Sequence, residues 1–482
     1  MRPFVLTLLI LGTLCGGAIS YALETLAIPP RRLAPYIEQR ASGHNPTIVA
    51  VGHWMSQTLI ANDRGPGNEV TLPRLKIGAQ LAAPKADAPS SGARLVPVAS
   101  TAAASAAFAN ARPGDVITFA PGRYRFSGPY IEIARGGSQE QRITVRATVP
   151  ETVVLEFDMT EGFLVSAPFW RFENLTIVGT CADHSSCEHA FHVTGKATDF
   201  IARNNTISDF NAHFKINGLD GQMPDRGLIE ANTLTNSTIR RTENPVTIID
   251  LVAASGWAIR KNFLSDFIKQ DGNQISYGGF AKGAGSHNVF ENNIVLCEYR
   301  LRGLPGQRVG LSLGDGGTGP QYCRDKLCTT EQNDSAINGN LIAACSDDGI
   351  YINRSANSQV VHNTLIDTGG ISIRYPESTT RAEGNLVDGR IRNRDGASAQ
   401  VIDNFDTSTT SLYLGAHPVR RLFDAKQAGQ FQGAMPRRAE IEAETETETK
   451  TRAGVDVPDL CGTAVKGKRA YGAFADFLAC LR

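Results

Sequence analysis

A lysine in a glycine-rich stretch is a candidate catalytic base. Lys282 has little side-chain cover, because its neighbours include Gly278, Gly279, Gly283 and Gly285. A lysine beside an arginine loses its proton more readily, so Lys282 is a candidate base near neutral pH. Arg308 is the candidate that would clamp a carboxylate of the substrate. His287 is a second candidate acid or base, and the alternative for Lys282 is a solvated lysine in a turn.

A second group of polar residues alternates along one predicted strand. His213, Lys215 and Asn217 are two residues apart, and successive side chains of a strand point to opposite faces, so we expect all three on one face. Such a row predicts either a sugar-binding stripe or a plain solvated surface. His189 and His192 are assigned to a loop.

A loop rich in glycine follows Arg308 and contains Asp315. Asp315 and Asp325 are candidate ligands of a metal ion or of a sugar hydroxyl, although acidic residues in such turns usually accept backbone hydrogen bonds. Cys323 and Cys328 would close this loop, and we expect it to wall the groove that contains Lys282.

The charge balance excludes some classes of partner. The chain of 482 residues has 48 basic and 48 acidic residues, so no overall field attracts nucleic acid or an anionic membrane. Binding of an anion must therefore be local. The 47 glycines fit a fold with many turns.

The N-terminus predicts export. Residues 1–22 form an apolar segment after Met1-Arg2-Pro3, with small residues before possible cleavage points at Ala18 and Ala22. The segment is a signal peptide or, if it is not cleaved, a membrane anchor. The protein is then periplasmic, extracellular or anchored to the membrane.

The cysteines support export. The eight that follow the segment predict four disulfides, which are Cys181/Cys187, Cys297/Cys345, Cys323/Cys328 and Cys461/Cys480. No C-x-x-C pair or other metal-ligand spacing occurs, so no metal site is expected.

Composition divides the rest of the chain. Residues 23–95 predict a partly ordered lead-in and a linker, 96–423 the main domain, 424–453 an acidic low-complexity linker, and 454–482 a C-terminal segment clipped by a disulfide. An alanine-rich helix over 98–111 is expected to cap the open end of the main domain.

A weak repeat runs through the main domain. It consists of an asparagine followed by apolar, often β-branched residues, at Asn174, Asn205, Asn232, Asn262, Asn293, Asn340, Asn363, Asn385 and Asn404. Intervals of about 20 to 50 residues indicate stacked supersecondary units. Asparagine tolerates the left-handed conformation of a turn, and stacked amides hydrogen-bond from coil to coil. The repeat therefore predicts an all-β parallel solenoid, which is usually complete as a monomer.

The main domain resembles the pectate-lyase-like superfamily, most of all its chondroitinase-B and alginate-lyase type. The resemblance rests on Pro113-Gly114-Asp115, the strand 116–119, Pro121-Gly122-Arg123-Tyr124 and the asparagine coils that follow. The resemblance implies a right-handed parallel β-helix over 96–423 and a lysine base, matched by Lys282. It also implies an essential arginine at Arg300, Arg302 or Arg308. A glutamate of that family helps to hold calcium, but Gln274 stands in its place, and an amide is a poor calcium ligand.

Together these features predict a protein that binds or cleaves an acidic, uronic-acid-containing polysaccharide, with β-elimination as the reaction. Several alternatives stay open. A non-catalytic carbohydrate-binding or structural protein of the cell surface would have no cleft, and an epimerase would use similar proton chemistry. A hydrolase needs paired carboxylates. Asp347 and Asp348 are the candidate pair, although in a strand they would point to opposite faces.

Overall fold

The computed structural model describes residues 16–64, 76–81, 92–304, 306–314, 317–421, 459–462 and 470–474. Within them, 36 short strands wind from Arg94 to Asp406, of which 33 form three long, wholly parallel sheets and three form a small fourth sheet. A typical coil contributes one strand to each long sheet. The chain is therefore a right-handed parallel β-helix, as predicted.

We call the three long sheets A, B and C. Sheet A contains β1 Arg94–Val98, β2 Asp115–Phe119, β5 Ile143–Ala147, β8 Trp170–Glu173, β11 Ile201–Arg203, β14 Leu228–Glu230, β17 Ala258–Arg260, β21 Val289–Glu291, β25 Ala336–Asn338, β29 Ser358–Val361, β32 Thr379–Glu383 and β35 Ser398–Ile402. Sheet B contains β3 Gly122–Ser127, β6 Val153–Asp158, β9 Thr176–Gly179, β12 Thr206–Ser208, β15 Thr233–Thr235, β18 Phe263–Ser265, β22 Ile294–Leu296, β26 Leu341–Ala343, β30 Thr364–Ile366, β33 Leu386–Val387 and β36 Phe405–Asp406. Sheet C contains β4 Ile131–Ile133, β7 Glu161–Val165, β10 His189–Thr194, β13 Ala212–Asn217, β16 Val246–Val252, β19 Ile275–Lys282, β23 Gln307–Leu313, β27 Ile350–Asn353, β31 Gly370–Arg374 and β34 Arg390–Arg394. A small fourth sheet contains β20 Gly285–Ser286, β24 Gln332–Asn333 and β28 Ser355–Ala356.

The repeated asparagines form a buried ladder from Asn205 to Asn404. Each side-chain amide donates to the side-chain oxygen of the next asparagine at 2.8 to 3.0 Å. The same oxygen accepts the backbone N–H of the asparagine one coil earlier. Every coil thereby fixes the turn of its neighbour, which explains why the repeat needs asparagine and tolerates loops of any length elsewhere.

The left-handed turn residue is not the ladder asparagine, as the sequence suggested, but the residue before it. Asn204 has φ 55° and Lys261 has φ 56°, while the asparagines that follow them are not left-handed. Asn174 is the exception among the repeated asparagines. It has φ 62°, and its side-chain oxygen accepts from Asn204 at 2.8 Å, one position beside the ladder.

The interior is filled by in-register apolar stacks. Phe163, Phe191 and Phe214 occupy paired positions on successive strands of sheet C, with ring centroids 5.2 and 5.3 Å apart. The predicted cap closes this stack: helix α3, Thr101–Ala109, is shorter than the expected 98–111, and its Phe108 packs 5.5 Å from Phe163. The side chains that alternate with these apolar residues point outward, where they can form sites on the surface.

Two helices of the lead-in pack against the last coils. They are α1, Pro30–Ala41, and α2, Pro46–Arg64, and residues 16–26 are also helical. Short helices α4, Thr409–Tyr413, and α5, Pro418–Arg421, lie beside them. Among the described residues no helix is both long and apolar enough to cross a membrane. Residues 1–15 of the predicted export segment and the predicted acidic linker 424–453 lie outside these residues.

Three of the four predicted disulfides are confirmed. Cys181–Cys187 and Cys323–Cys328 close short loops, and Cys297–Cys345 joins two successive coils. The fourth prediction includes Cys480, which lies outside the described residues. The described parts of the C-terminal segment, 459–462 and 470–474, pack on sheet B, where Leu460 and Phe474 are buried beside Leu386.

Candidate functional site

A groove of about 490 Å³ lies on the outer face of sheet C and brings together predicted residues from two separate parts of the sequence. It is lined by Lys215, Asn217, Gly218, Leu219, Asp220, Gly221, Met223, Val252, Lys282, Gly317, Thr318, Gly319, Gln321, Tyr322 and Lys326. Lys282 and the pair Lys215 and Asn217 are thus parts of one site. We call it the lysine groove.

Strand alternation and register build the floor of the lysine groove. On β13 the side chains of Phe214 and Ile216 are buried in the core, so Lys215 and Asn217 point outward, as predicted. Lys215 pairs with Asp250 on β16, and Val252 pairs with Lys282 on β19. Neighbouring strands are about 4.8 Å apart, so the outward side chains of β13, β16 and β19 lie side by side along the groove floor.

Two loops form the walls. One is 218–223, directly after β13, and the other is 317–328, which the predicted Cys323–Cys328 disulfide closes. Arg324 fixes the second wall to an earlier coil through two contacts with the Asp225 carboxylate, at 2.8 and 3.0 Å. Glu331 fixes its other end by accepting from the Thr318 hydroxyl at 2.8 Å. The wall is thereby held in place before any ligand arrives.

The charges in the lysine groove favour an anion. Lys215, Lys282 and Lys326 contribute three ammonium groups, and Asp220 is the only carboxylate among the described lining residues. Lys215 is held by Asp250 at 2.7 Å, and the Lys282 ammonium lies 4.3 Å from the centre of the Phe280 ring. Lys326 and the exposed Tyr322 both lie in the loop 317–328. The sequence did not predict them as groove residues, because nothing in the sequence of this loop shows towards which surface it folds.

Arg308, the predicted carboxylate clamp, does not line the lysine groove and is buried away from it. Its guanidinium is paired with Glu298 at 2.7 Å and is 3% exposed. Arg308 pairs with Ser276 at the start of β19, whereas Lys282 ends that strand, so about 20 Å separate the two along the sheet. After Lys282 the chain makes one full coil before β23 begins. Because β23 runs parallel to β19, its first residues lie at the edge of sheet C opposite Lys282.

Arg300 and Arg302 also lie at that far edge, in the loop before β23. The backbone N–H groups of Tyr299 and Arg300 donate to the Asp266 carboxylate at 2.8 and 2.9 Å, which fixes the loop. Neither arginine lines the groove, so the prediction that they bind its substrate is not supported there.

Three further residues that the sequence singled out lie at separate places in the structure. His287 is exposed in the turn between β20 and β21 and is not among the groove residues. Gln274 precedes β19, at the end opposite Lys282, and donates to the Gln270 carbonyl at 2.6 Å. Asp325 accepts two backbone N–H groups of its own loop at 2.9 Å, the ordinary structural role. Asp315 lies outside the described residues, so its role stays a prediction.

The candidate pair for a hydrolase does not line the lysine groove. Asp347 and Asp348 lie in the turn before β27 rather than in a strand, and both are buried. Arg32 of helix α1 contacts Asp347 at 3.0 Å, and Arg392 pairs with Asp348. Burial and the neighbouring Asp348 charge raise the pKa of Asp347 to about 6. The pair is an anchor for α1 and offers no support for hydrolysis.

His213 is on the predicted face but cannot bind a sugar, because its side chain is completely buried. Its Nε2 lies 3.0 Å from the Thr235 carbonyl oxygen, to which it donates as the neutral ring. Burial lowers its pKa from 6.5 to about 4. The unfolded chain therefore takes up a proton near pH 6.5 that the folded chain takes up only near pH 4, and stability falls across that window as the pH falls.

Replacement of His213 by glutamine, whose amide can still donate to Thr235, is expected to flatten this pH dependence. Between pH 7 and pH 4 the unfolding free energy of the wild type should fall by about 3 kcal/mol more than that of His213→Gln. Urea unfolding at a series of pH values measures it. The matched control is His287→Gln, an exposed histidine, whose profile should parallel the wild type; a His213→Gln profile that does the same would contradict the assignment.

A scan against protein-family models finds no match, and no curated protein matches either. Solved structures similar to the chain include an alginate lyase from Paenibacillus sp. str. FPU-7, 15% identical, with a TM-score of 0.35 over 57% of this chain and 95% of that one. Pectate lyase Pel9A is 15% identical, with a TM-score of 0.36 over 77% and 84% of the two chains. The PL6 family polysaccharide lyase Pedsa3628 from Pseudopedobacter saltans is 12% identical, with a TM-score of 0.35 over 65% and 93%. Similarities at these low identities and TM-scores do not indicate the substrate or the mechanism of this chain.

Proposed function

We propose that the protein binds an acidic, uronic-acid-containing polysaccharide in the lysine groove and cleaves it by β-elimination, with Lys282 as the base. The observation that carries the proposal is the convergence of Lys215, Lys282 and Lys326 on one groove of about 490 Å³. In a chain with no net charge, such a local concentration of ammonium groups is the feature that selects a polyanion.

The residues of the groove divide the reaction between them. Lys215, which Asp250 holds in place, and Lys326 neutralise the uronate carboxylate and make the C5 proton more acidic. Lys282 acts here as the neutral amine, after its ammonium has released a proton to water. The amine removes the C5 proton, the electron pair of the C5–H bond forms the C4–C5 double bond, and the C4–O bond breaks. The leaving oxygen then takes up a proton from water. The exposed ring of Tyr322 offers an apolar face to a neighbouring sugar.

The lysine groove does not fit calcium. Calcium takes six to eight oxygen ligands, several of them carboxylates. Among the described lining residues the only carboxylate is Asp220, and three ammonium groups face the same space. No step of the proposed elimination therefore runs through a calcium ion.

A non-catalytic polysaccharide-binding protein is the second candidate, and one observation favours it. Arg300, Arg302 and Arg308 all lie away from the groove, so carboxylate neutralisation depends on lysines alone. Lysine contacts a carboxylate as a point charge, without the bidentate geometry of arginine. Binding would then persist without turnover.

Absorbance at the band of unsaturated uronates tests the proposal. We expect it to rise when the purified protein is incubated with one polymer of a panel of alginate, pectate, chondroitin, dermatan and bacterial exopolysaccharides. A flat trace on all of them, together with calorimetric binding of one, would replace the lyase with a binding protein. A changed uronate composition by proton NMR, without new double bonds, would indicate an epimerase.

We further propose that the chain acts outside the cytoplasm. The predicted export segment at residues 1–22 and the three disulfides support this location, because disulfides persist in oxidising compartments.

A further inference from the structure

Two histidines and a glutamate face one another on sheet C, one coil before the lysine groove. Glu161 begins β7, and His189 and His192 lie on β10 rather than in the loop that the sequence predicted. One ligand atom from each of the three lies within 4.8 Å of the other two. The Glu161 carboxylate oxygen is 2.9 Å from Nδ1 of His192 and 3.8 Å from Nδ1 of His189.

The protonation of His192 is fixed by Asn217 of the groove floor. The Asn217 amide nitrogen donates to the Gly218 carbonyl at 2.9 Å, which turns its side-chain oxygen towards His192. That oxygen lies 2.8 Å from Nε2 of His192, so Nε2 must carry a proton. In the neutral ring, Nδ1 then has a lone pair directed at the Glu161 carboxylate. Two acceptors facing each other at 2.9 Å require either a second proton or a cation between them.

His189 favours the cation. Its Nδ1 is buried and has no hydrogen-bond partner among the described residues. At 3.8 Å the Glu161 oxygen is too far away to be one. Two ligands of a tetrahedral zinc ion, each about 2.0 to 2.1 Å from the metal, lie about 3.3 Å apart. The distances of 2.9 and 3.8 Å lie on either side of that value, so one ion can join all three atoms with small side-chain adjustments.

We propose that Glu161, His189 and His192 bind one divalent transition-metal ion of the zinc type. Two imidazole nitrogens and one carboxylate oxygen suit zinc, whereas calcium and magnesium prefer oxygen alone. Three protein ligands leave a fourth position open. Asn217 is a positioning residue, because a metal-bound histidine commonly donates its other N–H to a carbonyl oxygen.

The surroundings allow an ion to enter and remain. The side chains of Glu161, His189 and His192 are 23%, 16% and 18% exposed, so the site is accessible without being open. Lys215 neighbours His192 in the sheet, but its ammonium is held by Asp250 on the opposite side. Sequence spacing could not reveal this site, because its ligands come from two successive coils. The proposal is independent of the elimination reaction.

Calorimetric titration with zinc chloride tests the site. Tag-free protein is first dialysed against a chelator, and we expect it to bind one zinc ion per chain, with much weaker binding of calcium. His189→Gln, His192→Gln and Glu161→Gln should each weaken zinc binding by more than about 100-fold, and Asn217→Ala by about 10- to 100-fold. The matched control His287→Gln removes an exposed histidine and should bind zinc as the wild type does.

Two results would overturn the proposal. One is the absence of a one-to-one zinc complex at micromolar zinc, with NMR showing both nitrogens of His192 protonated, since the group is then an imidazolium–carboxylate pair. The other is unchanged zinc binding in the double variant His189→Gln/His192→Gln. Circular dichroism shows whether each variant is folded. Absorption spectra of the cobalt-substituted wild type report histidine ligation without any substitution.

Discussion

Replacement of Lys282 by alanine is expected to lower the rate of appearance of unsaturated uronate by about 10²- to 10⁴-fold, the usual contribution of a positioned base. The polymer should still bind, because Lys215 and Lys326 remain in the groove. The initial rate of absorbance increase measures the loss, and calorimetry measures the binding.

Lys282→Arg separates a base from a mere cation. Arginine keeps the positive charge at the groove floor, but its guanidinium cannot be deprotonated at neutral pH. If Lys282 removes the C5 proton, Lys282→Arg should be as inactive as Lys282→Ala. Recovery of activity in Lys282→Arg would show that this position only binds the carboxylate.

Lys261→Ala is the matched control for these variants. Lys261 is exposed on a turn away from the groove, and the equivalent turn of the preceding coil already contains Ala231, with φ 55° against 56° at Lys261. Alanine therefore fits the backbone there, and we expect wild-type activity. Activity retained equally in Lys282→Ala and Lys261→Ala would place the base elsewhere.

Replacement of Arg31 by methionine should have the largest effect on stability, about 3 to 5 kcal/mol in the free energy of unfolding. The Arg31 side chain is only 1% exposed and lies 2.8 Å from Asp63 and 3.1 Å from Asp367. Asp388 is 3.7 Å away and completely buried. Without the guanidinium these carboxylates keep their desolvation cost and lose their main counter-charge.

The charge of Arg31 is maintained by the same cluster. Burial alone would lower its pKa, but attraction from Asp63, Asp367 and Asp388 raises the pKa above its usual value. His417 completes the arrangement, because its ring lies 3.0 Å from Asp388 and 3.3 Å from Asp63. Helices α1 and α2 are thereby attached to the last coils of the β-helix through ionic contacts in the interior.

Denaturant unfolding measures the effect of Arg31→Met, with Arg40→Met as the matched control on the same helix. Arg40 is exposed, and its guanidinium lies 5.2 Å from the Tyr36 ring, a contact of small value. We expect its loss to cost less than about 1 kcal/mol. Equal small losses in both variants would show that the cluster contributes no net stability.

Several features of this protein follow from the sequence alone, because they depend on near neighbours or on a strict repeat. The asparagine ladder predicted the solenoid, since each buried amide needs an equivalent partner one coil away. The close cysteine pairs Cys181/Cys187 and Cys323/Cys328 can reach each other in almost any loop conformation. Alternation along β13 placed Lys215 and Asn217 on the outer face, because side-chain direction in a strand has a period of two.

The neighbours of these residues on other coils depend on the tertiary structure. Loops of different length interrupt the coils, so separation along the chain does not show which residues stack across sheet C. Arg308 follows Lys282 in sequence yet lies about 20 Å away along the sheet, while Lys215, two coils earlier, shares its groove. The backbone pairing between coils sets that register, and it also brings Glu161 next to His192. The packing of helix α1 on the last coils brings Arg31 to Asp388. No local sequence pattern encodes either contact.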